Sequence, residues 1–116
     1  ELDGLTALAD GSGCPAGSRA ERIRCAIYAL GNLLGGTMAH ELGHSLGLAD
    51  PGGDLFHNSG EEPNRLMDGG ANRPFFERAE LEGGGPEVFC QQNYEYLLSI
   101  LPTSEPDPVS GRPHCF

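Results

Sequence analysis

Between Ser18 and Gly47 the apolar residues keep a helical rhythm. "RAERIRCAIYAL" sets Ile23, Ala26, Ile27 and Leu30 at helical spacing, behind Ser18 as N-cap and Glu21 as its capping-box partner. This predicts a helix over 19–30, although "CAIYAL" alone also suits a buried strand. A second helix is predicted over 32–46, where Leu33, Leu34, Met38, Leu42 and Ser45 follow a 3.6-type pattern and Gly47 stands as a left-handed C-cap. Its interior Gly35, Gly36 and Gly43 each cost on the order of 1 kcal/mol against alanine, so a close neighbour is expected there.

Elsewhere the pattern thins. Residues 1–17 show no sustained period and read as loop, with one short strand expected around Leu5 to Leu8. From Pro51 to Pro74 the chain is dominated by Gly, Pro, Asn, Asp and Glu, an irregular connection of a length that is usually functional. "FFERAEL" predicts a short helix and "EGGGPE" a turn. "EVFCQQNYEYLLSIL" predicts a final helix with Val88, Phe89, Tyr94, Leu97, Leu98 and Leu101 on one face, stopped by Pro102. The tail from residue 102 is Pro-rich and extended, and there are no internal repeats. The fold class expected is α+β, mainly α with little sheet.

Composition narrows this further. The chain has 116 residues, one domain's worth, and 18 are glycine, which favours a loop-rich fold. Its net charge of -10, with all seven basic residues arginine, argues against nucleic acid or an anionic membrane surface as partner. No window has the apolar length of a membrane span. The acidic start at Glu1 lacks the basic region of a signal peptide and fits a mature product, a trimmed chain or part of a longer precursor. Cys14, Cys25, Cys90 and Cys115 contain no C-x-x-C spacing, so two disulfides and an oxidising, secreted or periplasmic compartment are expected. Of three possible pairings the sequence-local one, Cys14 with Cys25 and Cys90 with Cys115, is favoured.

The chemistry sits in "HELGHSLGLAD", residues 40–50. Residues four apart share a helix face, so His40 and His44 can offer nitrogens to one metal ion. Gly47 lets the chain turn so that Asp50 can be a third ligand, and the fourth position is left for water. Zn²⁺ lowers the pKa of such a water from about 15.7 to roughly 7 and polarises a carbonyl. Glu41 is then the group to take the water's proton and pass it to a leaving amine.

His40, Glu41, His44, Gly47 and Asp50, with Met67 in "NRLMDGG" downstream, resemble the metzincin metallopeptidases, in the snapalysin-type branch that has aspartate as third zinc ligand. The resemblance covers roughly residues 32–101 and implies a zinc-dependent endopeptidase acting on a polypeptide substrate. It also implies a methionine turn at Met67 as a hydrophobic floor beneath the metal, and a C-terminal helix at "NYEYLLSIL". As a single metzincin-like minimal catalytic domain, the chain would comprise a reduced N-terminal part (1–31), the zinc-site helix, methionine turn and C-terminal helix (32–101), and the tail (102–116). Since only 39 residues precede His40, the strand that holds substrate in this family would be missing or supplied by a partner chain.

Other readings stay open. His57 is an alternative third ligand, and His114 a tail histidine. Asp54, Asn58, Glu61 and Glu62 could form a Ca²⁺ site but read more simply as solvated loop groups. Two histidines and a carboxylate also suit iron(II). Phe75 and Phe76 are candidates for a substrate pocket, with core packing the simpler role for at least one. The competing functions are a non-catalytic structural or assembly subunit that keeps the metal site, the C-terminal part of a larger protease, and a protease-like inhibitor or binding module.

Overall fold

The structure, a computed structural model, describes residues 14, 17–48, 57–58, 63–69, 73–81, 86–104 and 111–115. Among these residues it is mainly helical with almost no strand. Helix α1 is Arg19–Ser45, α2 is Phe75–Arg78 and α3 is Gln91–Ile100. The strand pairing consists of two isolated parallel bridges, Asn58 with Asp68 and Arg65 with Val88. No described helix is long and apolar enough to cross a membrane. The strand expected at Leu5 to Leu8 lies outside the described residues, as does most of the "EGGGPE" turn.

Helix α1 begins as its sequence dictates. Glu21 N–H donates to Ser18 Oγ and Ser18 N–H donates to the Glu21 carboxylate at 2.6 Å, which satisfies two otherwise orphaned donors. It ends in a Schellman arrangement. Leu48 N–H reaches back to Gly43 O at 3.0 Å and Gly47 N–H to His44 O at 3.0 Å. Gly47 has φ +90°, which favours a residue without Cβ.

The two helices expected over 19–30 and 32–46 are one helix of 27 residues. No proline or change of phase interrupts the spacing across Gly31, and Asn32 spends its side-chain amide on Ala79 O at 3.1 Å instead of capping a new helix. The strand alternative for "CAIYAL" falls with it.

Apart from Leu33, the apolar residues that reveal α1 are not those it packs with. Its buried positions are Ala29, Leu33, His40 and Gly43, whereas Ile27 is 67%, Leu34 57%, Met38 73% and Leu42 58% exposed. The packed side is thus made of two small residues, one leucine and one histidine. It meets two separate cores. Cys14, Ala29, Leu33, Ala79 and Leu81 form one, with Cys25 and Phe75 against it. Leu48, Met67 and Leu97 form the other, flanked by Leu46 and Phe89.

Helix α3 starts at Gln91, later than its pattern suggests, because the backbone of Val88 is already engaged. Val88 N–H donates to Asn64 O, and Val88 O accepts from Leu66 N–H, both at 2.9 Å. Leu97 is buried as expected, but Leu101 lies past the helix end and is exposed. Both disulfides have the sequence-local pairing, Cys14–Cys25 and Cys90–Cys115. The tail returns to the start of α3, where Gln91 N–H donates to Pro113 O at 2.8 Å and the Arg112 guanidinium lies 3.7 Å from the centre of the Tyr94 ring.

Candidate metal centre

Four residues of helical spacing separate His40 from His44, and the fold brings the two rings together at an interplanar angle of 85°. His40 is buried, and its Nδ1 donates to Leu66 O at 2.7 Å. His44 is half-buried, with Nδ1 3.4 Å from Leu48 O in the C-terminal turn of α1. With each Nδ1 facing a carbonyl, the two Nε2 atoms face one another at 3.0 Å. Two bare imidazole nitrogens at that distance repel unless a proton or a cation lies between them. Ligands about 2.05 Å from one tetrahedral ion stand roughly 3.3 Å apart, close to the spacing seen.

His57 completes the group from the long connection. Asn58 N–H donates to Met67 O at 3.0 Å, and Asn58 Nδ2 donates to Asp68 Oδ1 at 2.9 Å, so the residue after His57 is tied to the Met67 segment. The His57 ring centre lies 5.1 Å from that of His40, nearly parallel to it, and 5.1 Å from that of His44. One ligand atom from each of the three histidines lies within 4.8 Å of the others. Burial holds the His40 pKa below the ordinary histidine value, which the Leu66 carbonyl partly opposes, and the positive charges of Arg73, His44 and His57 lower it further. Burial also lowers His57, helped by His44 and Arg73 and opposed by Glu41. Both shifts favour the neutral imidazole, which is the form that binds a metal.

Glu41 is exposed on the next position of the helix, and its charge reaches His57. Met67 is buried directly against Gly43, where a Cβ would lie 2.5 Å from its Sδ. One of the helix glycines thus has its close neighbour, between the two histidines. Gly36 has another in the carboxylate of Glu87, which makes a buried ion pair with Arg73 at 2.6 Å. Burial raises the Glu87 pKa, against the pull of Arg73. Nothing in the sequence pairs Arg73 with Glu87; the glycine at 36 is the only trace of it.

Asp50 lies outside the described residues, as do Asp54, Glu61 and Glu62 of the calcium reading. Asn58, the remaining member of that set, has its amide nitrogen engaged by Asp68. His114 is exposed in the tail, Phe76 is 51% exposed, and Phe75 packs on the first core. Three neutral imidazoles are donors suited to zinc, and also to copper, iron or nickel. No family model matches this chain, and no curated protein or solved structure matches it either.

Proposed function

We propose that the chain is a zinc-dependent endopeptidase whose metal is held by His40 and His44, with Glu41 as its acid–base residue. The observation that carries this is the convergence of three imidazoles, two of them with Nδ1 directed at backbone carbonyls and Nε2 directed inward. Zinc, when bound, would polarise the scissile carbonyl and make a water acidic enough to attack at neutral pH. His57 supplies the third nitrogen, and Asp50, from the resemblance, is the other candidate for that role.

The chain's own residues do the rest. The Leu66 carbonyl keeps the His40 proton on Nδ1, so that Nε2 stays available. Glu41 takes one proton from the attacking water as its oxygen adds to the carbonyl carbon. It returns that proton to the amine nitrogen as the C–N bond breaks. The two disulfides suit an oxidising, extracellular or periplasmic setting, and a polypeptide is the substrate.

A second reading, a non-catalytic subunit that keeps the metal, has one observation in its favour. Among the described residues the only strand pairing is two isolated bridges, and none of these residues forms an edge strand beside the histidines to hold a peptide. Casein digestion by the purified chain, before and after chelation and again with zinc restored, separates the two. Cleavage lost on chelation and recovered with zinc supports the peptidase; a zinc-loaded chain that never cleaves supports the subunit.

A further inference from the structure

The outer face of α1 carries six aliphatic residues in one stripe: Ile23, Ile27, Leu30, Leu34, Met38 and Leu42. All are between 45% and 73% exposed. The stripe is ~28 Å long at 1.5 Å per residue. An exposed apolar patch of several hundred Å² on a small domain marks an interaction surface. We propose that this face binds a second copy of the same chain, α1 against α1, antiparallel, about a two-fold axis between Asn32 and Leu33.

That register is the one the residues complete. It sets Ile23 against Leu42 and Ile27 against Met38, and each pair recurs on the other side of the axis, as a two-fold interface requires. Near the axis it sets Leu30 level with Gly35 and Leu34 level with Gly31. These are the two helix glycines without an internal reason: a Cβ at either would meet nothing within 4 Å, unlike Gly36 and Gly43. A groove of ≈ 250 Å³ opens beside them, lined by both glycines, Asn32, Gly36, Ala39 and Leu66 together with Glu80 and Glu87. One charge pair suits this register, within two copies that each carry a net charge of -10. The same register sets Arg24, at the N-terminal end of one stripe, opposite Glu41 at the C-terminal end of the other, twice per pair. Two such faces together cover on the order of 1,200 Å², the lower bound of a specific interface, so the dimer should be reversible.

If Glu41 is the acid–base residue, the partner's Arg24 would occupy it, and cleavage per chain would fall as the dimer forms. The association itself does not depend on that reading.

Sedimentation velocity of the intact, oxidised chain from micromolar to a few hundred micromolar tests it. The native chain should pass from monomer to dimer. Met38→Glu, which puts a charge in the apolar stripe, should raise the dissociation constant by about tenfold or more, with an unchanged circular dichroism spectrum showing that the chain still folds. Arg24→Glu should also weaken the dimer, and Arg24→Glu with Glu41→Arg should restore it. A chain that stays monomeric throughout, or a dimer indifferent to Met38→Glu, overturns the proposal. So does a double charge exchange that does not recover what the single one lost. A concentration-dependent dimer with no loss of cleavage would leave the association standing and remove Glu41 from the peptidase mechanism.

Discussion

Adding one methyl group to α1 should have opposite effects at two glycines eight residues apart. At Gly35 nothing lies within 4 Å of the new Cβ, so Gly35→Ala should gain the helix-propensity difference, about 1 kcal/mol, in the isolated chain. At Gly43 the same gain is available, but the Cβ would sit 2.5 Å from Met67 Sδ, 3.2 Å from its Cε and 3.3 Å from Leu48 Cδ1. Met67 is 1% and Leu48 2% exposed, so neither can retreat into solvent. Overpacking a core by one methyl typically costs about 1–3 kcal/mol, which offsets the propensity gain and leaves Gly43→Ala destabilised by about 1 kcal/mol. The two variants should therefore differ by about 2 kcal/mol. Urea unfolding followed by far-ultraviolet circular dichroism, with chelator present and at low protein concentration, reads this as a difference in midpoint at constant slope. Gly43→Ala should also bind zinc more weakly, since His40 and His44 flank the displaced turn. Equal stability of the two variants would refute the packing of Met67 against Gly43.

Other outcomes follow from the same structure. Replacing Cys90 and Cys115 by serine opens a closure of sequence separation 25 and should cost about 3.5 kcal/mol on the chain-entropy model, measured by the same unfolding assay. Asp68 is 1% exposed, and burial raises its pKa, with the Asn58 amide opposing the shift. A folded pKa above the unfolded one means the folded chain holds a proton the unfolded chain has lost, so Asp68 weakens the fold above its raised pKa and ceases to do so below the ordinary aspartate range. Asp68→Asn should accordingly stabilise the metal-free chain at pH 7 by a margin that shrinks toward pH 4; a margin independent of pH would contradict it. Zinc titration of His57→Ala and Asp50→Ala compares the two candidate third ligands, and the weaker binder identifies the residue that coordinates.

Local signals in the sequence were read most faithfully. Ser18 with Glu21, Gly47 after Ser45, and the four-residue spacing of His40 and His44 each depend on groups within one or two helical turns, and each has the structure its pattern implies. The disulfide pairing was legible because its loops are short. Properties that depend on distant segments were not. Apolar periodicity marks α1 as a helix but does not tell which face packs, because small residues at Ala29, Gly36 and Gly43 let the chain approach one side and leave Leu34, Met38 and Leu42 outside. Helix α1 runs unbroken through Gly31, between the two expected helices, because a single glycine costs too little to stop a helix. His57 is placed beside the other histidines by the ties of Asn58 to Met67 and Asp68, contacts across nine and ten residues that no local pattern announces.

The central claim is that His40, Glu41 and His44 form a hydrolytic zinc site. Its most direct test is zinc content and casein cleavage, measured side by side on the purified chain and on Glu41→Ala. One equivalent of zinc in both proteins with cleavage by the parent alone is the expected result. Zinc bound by both with cleavage by neither would contradict the hydrolytic role, and no zinc in either would contradict the metal centre itself.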